Sequence, residues 1–311
     1  MHQLDPALAV WLEEYNRELA DLVAKGYKAT AIGAREALAN LTRQMVTPGP
    51  DIAWVNDELV AGRDYTVPVR IYHPDPKRPL PVLVFFHGGG HMVGSVSVYD
   101  PICRRLAAAS RHVVVSAEYR RSPESPYPAG LQDAATVAKG VWQALDARQL
   151  PYVRQLSLAG DSAGGALTSS LSGLGQYDAS LQIKRQVLIY PSVDYTLSQP
   201  SVDENGEGYL LTKARVAWYF DNYFQHAENR LQASPLHWAF TRKLPDTLLV
   251  SAGFDPLRDE DFLYVDKLRA AAVEVEHLHL DGMVHAFLNL EAIVPDACRM
   301  VYQRIGEFLN R

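Results

Sequence analysis

The segment Gly160-Asp161-Ser162-Ala163-Gly164-Gly165 sets a serine among three glycines, where the apolar run QLSLA hands over to the helix-like ALTSSLSGL. A loop that only reverses direction needs one glycine or asparagine in a left-handed conformation, so three glycines mean that something approaches the backbone closely. The spacing G-x-S-x-G is that of a nucleophile elbow, a strained strand-to-helix turn that lifts a serine hydroxyl clear of its surroundings. Five residues of this kind also arise by chance, and the context adds the weight. A strand expected over 155–159 feeds the turn and a helix leaves it, with its positive end toward Ser162, where it favours developing negative charge.

A serine hydroxyl is a poor nucleophile at neutral pH; a histidine must take its proton, and a carboxylate must hold that histidine in the right tautomer. Downstream of Ser162, Asp255 follows the apolar run DTLLVSAG and His285 follows VEHLHL in the stretch DGMVHAF, which reads as a loop. Each falls just past the C-terminal end of an expected strand, the edge of an open sheet where sites assemble. The tetrahedral intermediate of acyl transfer also needs backbone N–H donors left uncovered by side chains. The run His87-Gly88-Gly89-Gly90 after the strand PVLVFF supplies candidates, with the N–H of Ala163 as their partner. Phosphate cradles carry G-x-G-x-x-G or G-x-x-x-x-G-K-[ST], and neither occurs here.

Other polar and aromatic residues read more simply. His277 and His279 form an H-x-H with Asp281 nearby, but alternate strand residues share a face anyway and no third His or Cys stands at a metal-ligand spacing. His2, His73, His112, His226 and His237 read as surface or hydrogen-bonded histidines. The group Trp218, Tyr219, Phe220, Tyr223 and Phe224 reads as core rather than as an acyl pocket. Cys103 and Cys298, the only two cysteines, read as buried packing thiols, and a reducing compartment suits them.

The elements that must position these groups follow from periodicity. Residues 7–25 repeat Leu8, Trp11, Leu12, Tyr15, Leu19 and Leu22 at helical spacing between Asp5-Pro6 and Gly26, and 31–46 form a second amphipathic stretch. The two helices could cover a site or pack on the core. IAWVNDELV and TVPVRIY read as an antiparallel hairpin. Six further apolar runs alternate with helices near 99–110, 130–148, 163–174, 259–272 and 296–310, which predicts an α/β fold with a mostly parallel sheet of eight strands joined by right-handed crossovers. From Tyr195 to about Pro235 that rhythm lapses into an acidic, glycine-containing loop and an aromatic-rich helix, the pattern of a lid insertion. The expected organisation is N-terminal cap helices over 1–48, a core over 49–195, a cap insertion over 196–235 and the rest of the core over 236–311.

The composition fits an ordinary globular protein. Of 311 residues, 48% are hydrophobic and 21% charged, and the net charge of −6 lacks the basic excess that nucleic acid demands. The N-terminal residues lack the basic start and continuous apolar stretch of a leader, and no run is long enough for stable membrane insertion, so the expected address is the cytoplasm.

Six blocks together resemble the hormone-sensitive-lipase family of α/β-hydrolases, in particular the bacterial carboxylesterases of the GDSAG type: VFFHGGGHMVGSVSVYDPICRRLA at 85–108, AEYRRSPESPYPAGLQDA at 117–134, LAGDSAGG at 158–165, LIYPSVD at 188–194, DPLRDE at 255–260 and GMVHAF at 282–287. The resemblance runs from about Tyr65 to the C-terminus. It implies Ser162 as nucleophile, His285 as general base and acid, Asp255 as orienting carboxylate, and oxyanion donors among Gly88, Gly89 and Gly90 with Ala163. It further implies hydrolysis of small esters with short to medium acyl chains and no metal or organic cofactor, in a family whose members often form homodimers. His91 stands where the family usually has an aromatic residue, Ala166 where asparagine is common, and Arg121-Ser122 where Leu-Ala is usual; Arg120 and Glu124 of that block read as loop anchors. The same triad would serve an amidase, a lactonase or a carbamate hydrolase, and receptors on this fold lack the histidine that His285 supplies here.

Overall fold

A computed structural model describes residues 3–63 and 65–311; His2 lies outside them. Helices α1 (Pro6–Ala24) and α2 (Ala31–Met45) come first, capped by the side chains of Asp5 and Thr30, which accept hydrogen bonds from first-turn N–H groups. Strands β1 (Trp54–Val60) and β2 (Val67–His73) pair as the antiparallel hairpin. Then follow β3 (Leu80–Phe86), α3 (Asp100–Ser110), β4 (Val113–Ala117), α4 (Ala129–Ala147), β5 (Tyr152–Asp161), α5 (Ala163–Gly175) and β6 (Ile183–Ile189). Three helices, α6 (Ser201–Glu204), α7 (Lys213–Tyr223) and α8 (Arg230–Ala233), interrupt the alternation before β7 (Asp246–Phe254), α9 (Arg258–Ala270), β8 (Val275–Val284) and α10 (Pro295–Leu309).

The eight strands form one sheet in the order β1-β2-β4-β3-β5-β6-β7-β8, parallel from β4 onward. Leu83 and Phe85 point to the face covered by α3 and α10, whereas Val82, Val84 and Phe86 point to the face covered by α4 and α5. Burial on both faces is why these strands are continuous apolar runs without alternation. The chain leaves β3 for β4 on one side and returns to β5 on the other, so the carboxyl ends of β3 and β5 flank the point where the winding reverses, the usual crevice of such sheets. Phe86 there stands opposite Gly160, which brings the HGGG segment beside GDSAGG.

Two boundaries differ from the sequence expectation. Strand β5 runs on through Gly160 and Asp161, because both still pair with β6. The stretch Asp281–Val284 is strand and not loop: after a register shift, Phe254 pairs with Val284, and the bare Gly253 lies against the Asp281 backbone. His285 is therefore aimed by a strand end. Among the described residues no helix is long and apolar enough to cross a membrane.

The N-terminal helices contribute side chains both to the core and to a cavity wall. Leu8 and Leu12 of α1 belong to the main core, while Tyr15 of α1 and Ala34, Ala37, Leu38 and Leu41 of α2 line a cavity at the carboxyl edge of the sheet. Asn16 ties α1 to the 196–235 segment through the Gly208 carbonyl at 2.9 Å. Arg35 of α2 pairs with Glu124 at 2.5 Å and also donates to the carbonyls of Met92 and Ser122. Arg120 is held bidentate by the buried Asp133. Arg120 and Glu124 thus anchor loops and helices, as their turn context suggests.

Candidate active site

Ser162 sits at φ 53, ψ −118, a conformation that non-glycine residues avoid and that survives only where the surroundings enforce it. Its N–H donates to the Ile189 carbonyl at 2.9 Å, and its carbonyl accepts from Ala166 and Ser192. A side chain at Gly160 would collide with the Gly164 backbone, and one at Gly164 with the Phe86 carbonyl at the end of β3. A Cβ at Gly165 would press into Pro191. The three glycines thus let strand, turn and helix backbones meet around one serine.

His285 Nε2 lies 2.8 Å from Ser162 Oγ, and His285 Nδ1 lies 2.7 Å from Asp255 Oδ2. The other carboxylate oxygen of Asp255 accepts the Leu257 N–H at 2.8 Å, which fixes the plane of the carboxylate. Asp255 is fully buried, while Ser162, at 9% exposure, opens on the cavity. Three side chains from the ends of β5, β7 and β8 are in one hydrogen-bonded line. Such a line can move a proton from hydroxyl to imidazole while the carboxylate stabilises the imidazolium.

Gly89, Gly90 and Ala163 line the same cavity. Gly88 departs from the sequence expectation: its N–H donates to Asp161 Oδ1 at 2.7 Å and is already committed. Asp161 in turn accepts the Tyr99 hydroxyl at 3.0 Å, and burial pushes its carboxyl up to about 7 against the pull of these donors and of His285. It holds the glycine loop at its first residue and leaves the later ones to face the cavity. Gly90, at φ +58, packs bare against the Tyr219 ring.

The cavity, about 210 Å³, is walled mostly by apolar groups from α2, α7 and the Leu210-Leu211 segment. The aromatic group of α7 and its C-cap serves both core and cavity, which corrects the reading of it as plain core. Tyr219 and Phe220 line the cavity and also pack with Tyr223 and Phe224 in a buried cluster that includes Tyr195 and Ala166. Helical spacing could not separate these roles because both faces are apolar. His91 fills the aromatic position by stacking on Tyr223, with ring centroids 3.8 Å apart, and its Nε2 meets the Tyr195 hydroxyl. Burial pushes His91 down to about 3, so it packs as a neutral ring.

The remaining histidines find local partners. His277 Nε2 and His279 Nδ1 share the buried Ser251 hydroxyl at 2.7 and 2.8 Å, edge-on to Phe262. Among the described residues no group of three His, Cys, Asp or Glu side chains could hold a metal. His73 meets the Pro151 carbonyl, His112 the Ser110 carbonyl and His237 the Asp194 carboxylate, while His226 is exposed. Cys103 and Cys298 are buried and free.

Behind Asp255, α9 buries two acids that sequence reasoning passed over. Glu260 accepts the N–H groups of Val193 and Asp194, whereas both oxygens of Asp261 are fully buried with no hydrogen-bond partner among the described residues. Burial pushes both carboxyls well above the usual range, and the charge of Asp255 adds to the push. A buried polar group without a partner costs about 1–3 kcal/mol. Asp261→Ala is therefore expected to stabilise the fold at pH 7 by at least that much, measured by urea melts. Because the folded-state pKa is raised, wild type regains stability as pH falls toward the unfolded value near 4. The advantage of the variant should shrink by up to about 1.4 kcal/mol per pH unit on that approach. A variant less stable than wild type at pH 7 would refute this account of Asp261.

Comparison with known proteins extends the geometry. A protein family described by its α/β-hydrolase fold matches residues 83–289. The chain is 36% identical over 257 residues to the carboxylic ester hydrolase LipN of Mycobacterium tuberculosis, an alignment covering 78% of this chain and 67% of the relative. It is 30% identical over 303 residues to the ethyl acetate hydrolase of Pseudomonas putida, covering 94% and 95% of the two chains. Among solved structures, the hyperthermophilic esterase of the archaeon Pyrobaculum calidifontis superposes with a TM-score of 0.89 at 32% identity, covering 99% of this chain and 98% of that one.

Proposed function

We infer how the site works from the premise that the chain belongs to the hormone-sensitive-lipase branch of the α/β-hydrolases and is a carboxylic-ester hydrolase. In our reading Ser162 is the nucleophile. Its Oγ attacks the ester carbonyl carbon as His285 Nε2 takes the hydroxyl proton, and the carbonyl oxygen becomes an oxyanion. The N–H groups of Gly89, Gly90 and Ala163 receive that charge, beside the positive end of α5. The intermediate collapses by breaking the bond to the alkoxy oxygen, which leaves as alcohol with the proton from His285. Water then attacks the acyl-serine, gives its proton to His285, and releases the carboxylic acid as Ser162 regains its hydrogen. Asp255 stays ionised throughout and holds the imidazole with Nδ1 protonated.

The observation that carries this assignment is the unbroken line from Ser162 Oγ through His285 to Asp255 at 2.8 and 2.7 Å, opening on a cavity. The cover is α1, α2 and the 196–235 segment, acting as a cap; its support is the set of side chains that these elements place on the cavity wall. Small esters with short to medium acyl chains suit so confined and apolar a space.

A p-nitrophenyl ester series of rising acyl length, run before and after a serine-reactive phosphonate, tests the reading. Turnover should be highest for short to medium chains, vanish after treatment, and coincide with one phosphonyl group on the peptide carrying Ser162. Full activity with Ser162 modified, or label on another residue with Ser162 untouched, would overturn it.

A further inference from the structure

We propose that Arg215 makes the site selective for esters that carry a carboxylate at a distance from the scissile bond, a proposal that rests on the ester-hydrolase reading above. Arg215 is the only guanidinium or ammonium among the described residues lining the cavity that holds Ser162 and His285. The walls around it, Leu210, Leu211, Val216, Tyr219 and Phe220, are apolar or aromatic. A cation in such a lining is worth most when it meets an opposite charge, because the low-polarity surroundings leave their attraction poorly screened.

Among the described residues no carboxylate forms an ion pair with Arg215, and the acid on the cavity wall, Asp161, is held by the Gly88 N–H and the Tyr99 hydroxyl. The acids of the surrounding segments are taken by other cations: Asp203 by Lys213, Asp221 by Arg230, and both Glu204 and Asp259 by Arg258. Arg215 instead lies over the Trp218 ring, 5.4 Å from its centroid. Such stacking leaves the N–H edge of the guanidinium available, and that edge matches the two oxygens of a carboxylate. Its charge also reaches the Tyr15 and Tyr219 phenols of the cavity, where it opposes the upward push of burial.

Its place on α7 points the same way. Thr212 caps this helix by accepting the Arg215 N–H at 3.1 Å, so Arg215 stands three residues past the cap, where a glutamate or glutamine would complete a capping box. A cation in the first turn works against the helix dipole. Local helix stability therefore does not account for an arginine here, and the helix end and the guanidinium together make this wall of the cavity positive.

The test uses matched pairs of esters in the whole enzyme and in Arg215→Met, which keeps the stem over Trp218 and removes the charge. One pair places the charge on the acyl side: p-nitrophenyl half-esters of five- to eight-carbon dicarboxylic acids against their methyl-capped forms. The other places it on the alcohol side: the butyryl ester of 4-hydroxybenzoate against that of its methyl ester. The readout is the factor by which the substitution lowers kcat/KM for the anionic member, divided by the same factor for the neutral member. A charge-assisted hydrogen bond predicts a quotient of about tenfold to a hundredfold in at least one pair, with Arg215→Lys keeping part of it. A quotient below about threefold in both pairs, the size of an exposed ion pair, would overturn the proposal. Should Arg215→Met fail to fold, the same quotient is read from Arg215→Lys and Arg215→Gln. Neutral esters separate the two levels: their turnover should persist in the Arg215 variants and vanish in Ser162→Ala. No neutral-ester turnover in wild type would sink the esterase reading itself.

Discussion

Ser162→Ala lowers kcat on a p-nitrophenyl ester by about six orders of magnitude, to what an oxyanion site and substrate binding alone can supply. In this line the hydroxyl is the group that forms the bond to the acyl carbon and then releases it, with His285 as its base. Without it His285 Nε2 faces an empty position, and no acyl-enzyme accumulates. The fold should survive, because the hydrogen bonds that hold this strained turn are made by the Ser162 backbone to Ile189, Ala166 and Ser192, none of which the substitution removes. Alanine also meets φ 53 with the same Cβ that serine has. Steady-state kinetics beside a thermal melt check both halves. Activity within tenfold of wild type in a folded variant would dismiss Ser162 as the nucleophile.

Asp255→Asn is expected to cost about four orders of magnitude in kcat, through a tautomer and not through a lost contact. The Leu257 N–H donates to Oδ1 at 2.8 Å, so the amide oxygen of the asparagine must take that position and its NH₂ must face His285. An NH₂ group offered to Nδ1 pairs with the bare nitrogen, which moves the ring proton to Nε2. There it points at Ser162 Oγ and cannot accept the hydroxyl proton. KM should change little, since Asp255 is fully buried and does not line the cavity. Stability should hold or rise, because one of three neighbouring buried acids loses its charge and Glu260 and Asp261 lose a repelling neighbour. Kinetics and urea melts on the same preparation measure both effects. A loss of less than tenfold would mean that Asp255 does not set the histidine tautomer, whereas loss of folding would make it a structural acid.

Much of this was legible locally. The strands between β3 and β8 are short, apolar and separated by helical periodicity, and the position of Ser162, Asp255 and His285 just past strand ends needs only those runs and their order. The close approach implied by three glycines was legible too, since a missing Cβ is a statement about space. Other features were not. Gly88 and its neighbours are chemically identical in sequence, and only the carboxylate of Asp161, 73 residues away, separates the committed N–H from the others. The aromatic residues of α7 gave no sign of which would face a cavity as well as the core. Asp261 looks like any helix-surface acid until α9 turns it inward against Asp255.

The amino-acid sequence by itself determined the kinds of element, their order, and the chemical inventory at each strand end, because these depend on neighbours within a few residues. The tertiary structure alone decided which strands adjoin, and so that β3 lies beside β5 and β7 beside β8. It also decided that Ser162 and His285, 123 residues apart, stand within hydrogen-bonding distance, and that α2 and α7 place side chains on the wall of the same cavity, with Arg215 the one guanidinium among the described residues lining it. The reason is that side-chain periodicity reports which face of an element is buried but not against what, and a hydrogen bond between distant segments exists only once the sheet has brought their ends together.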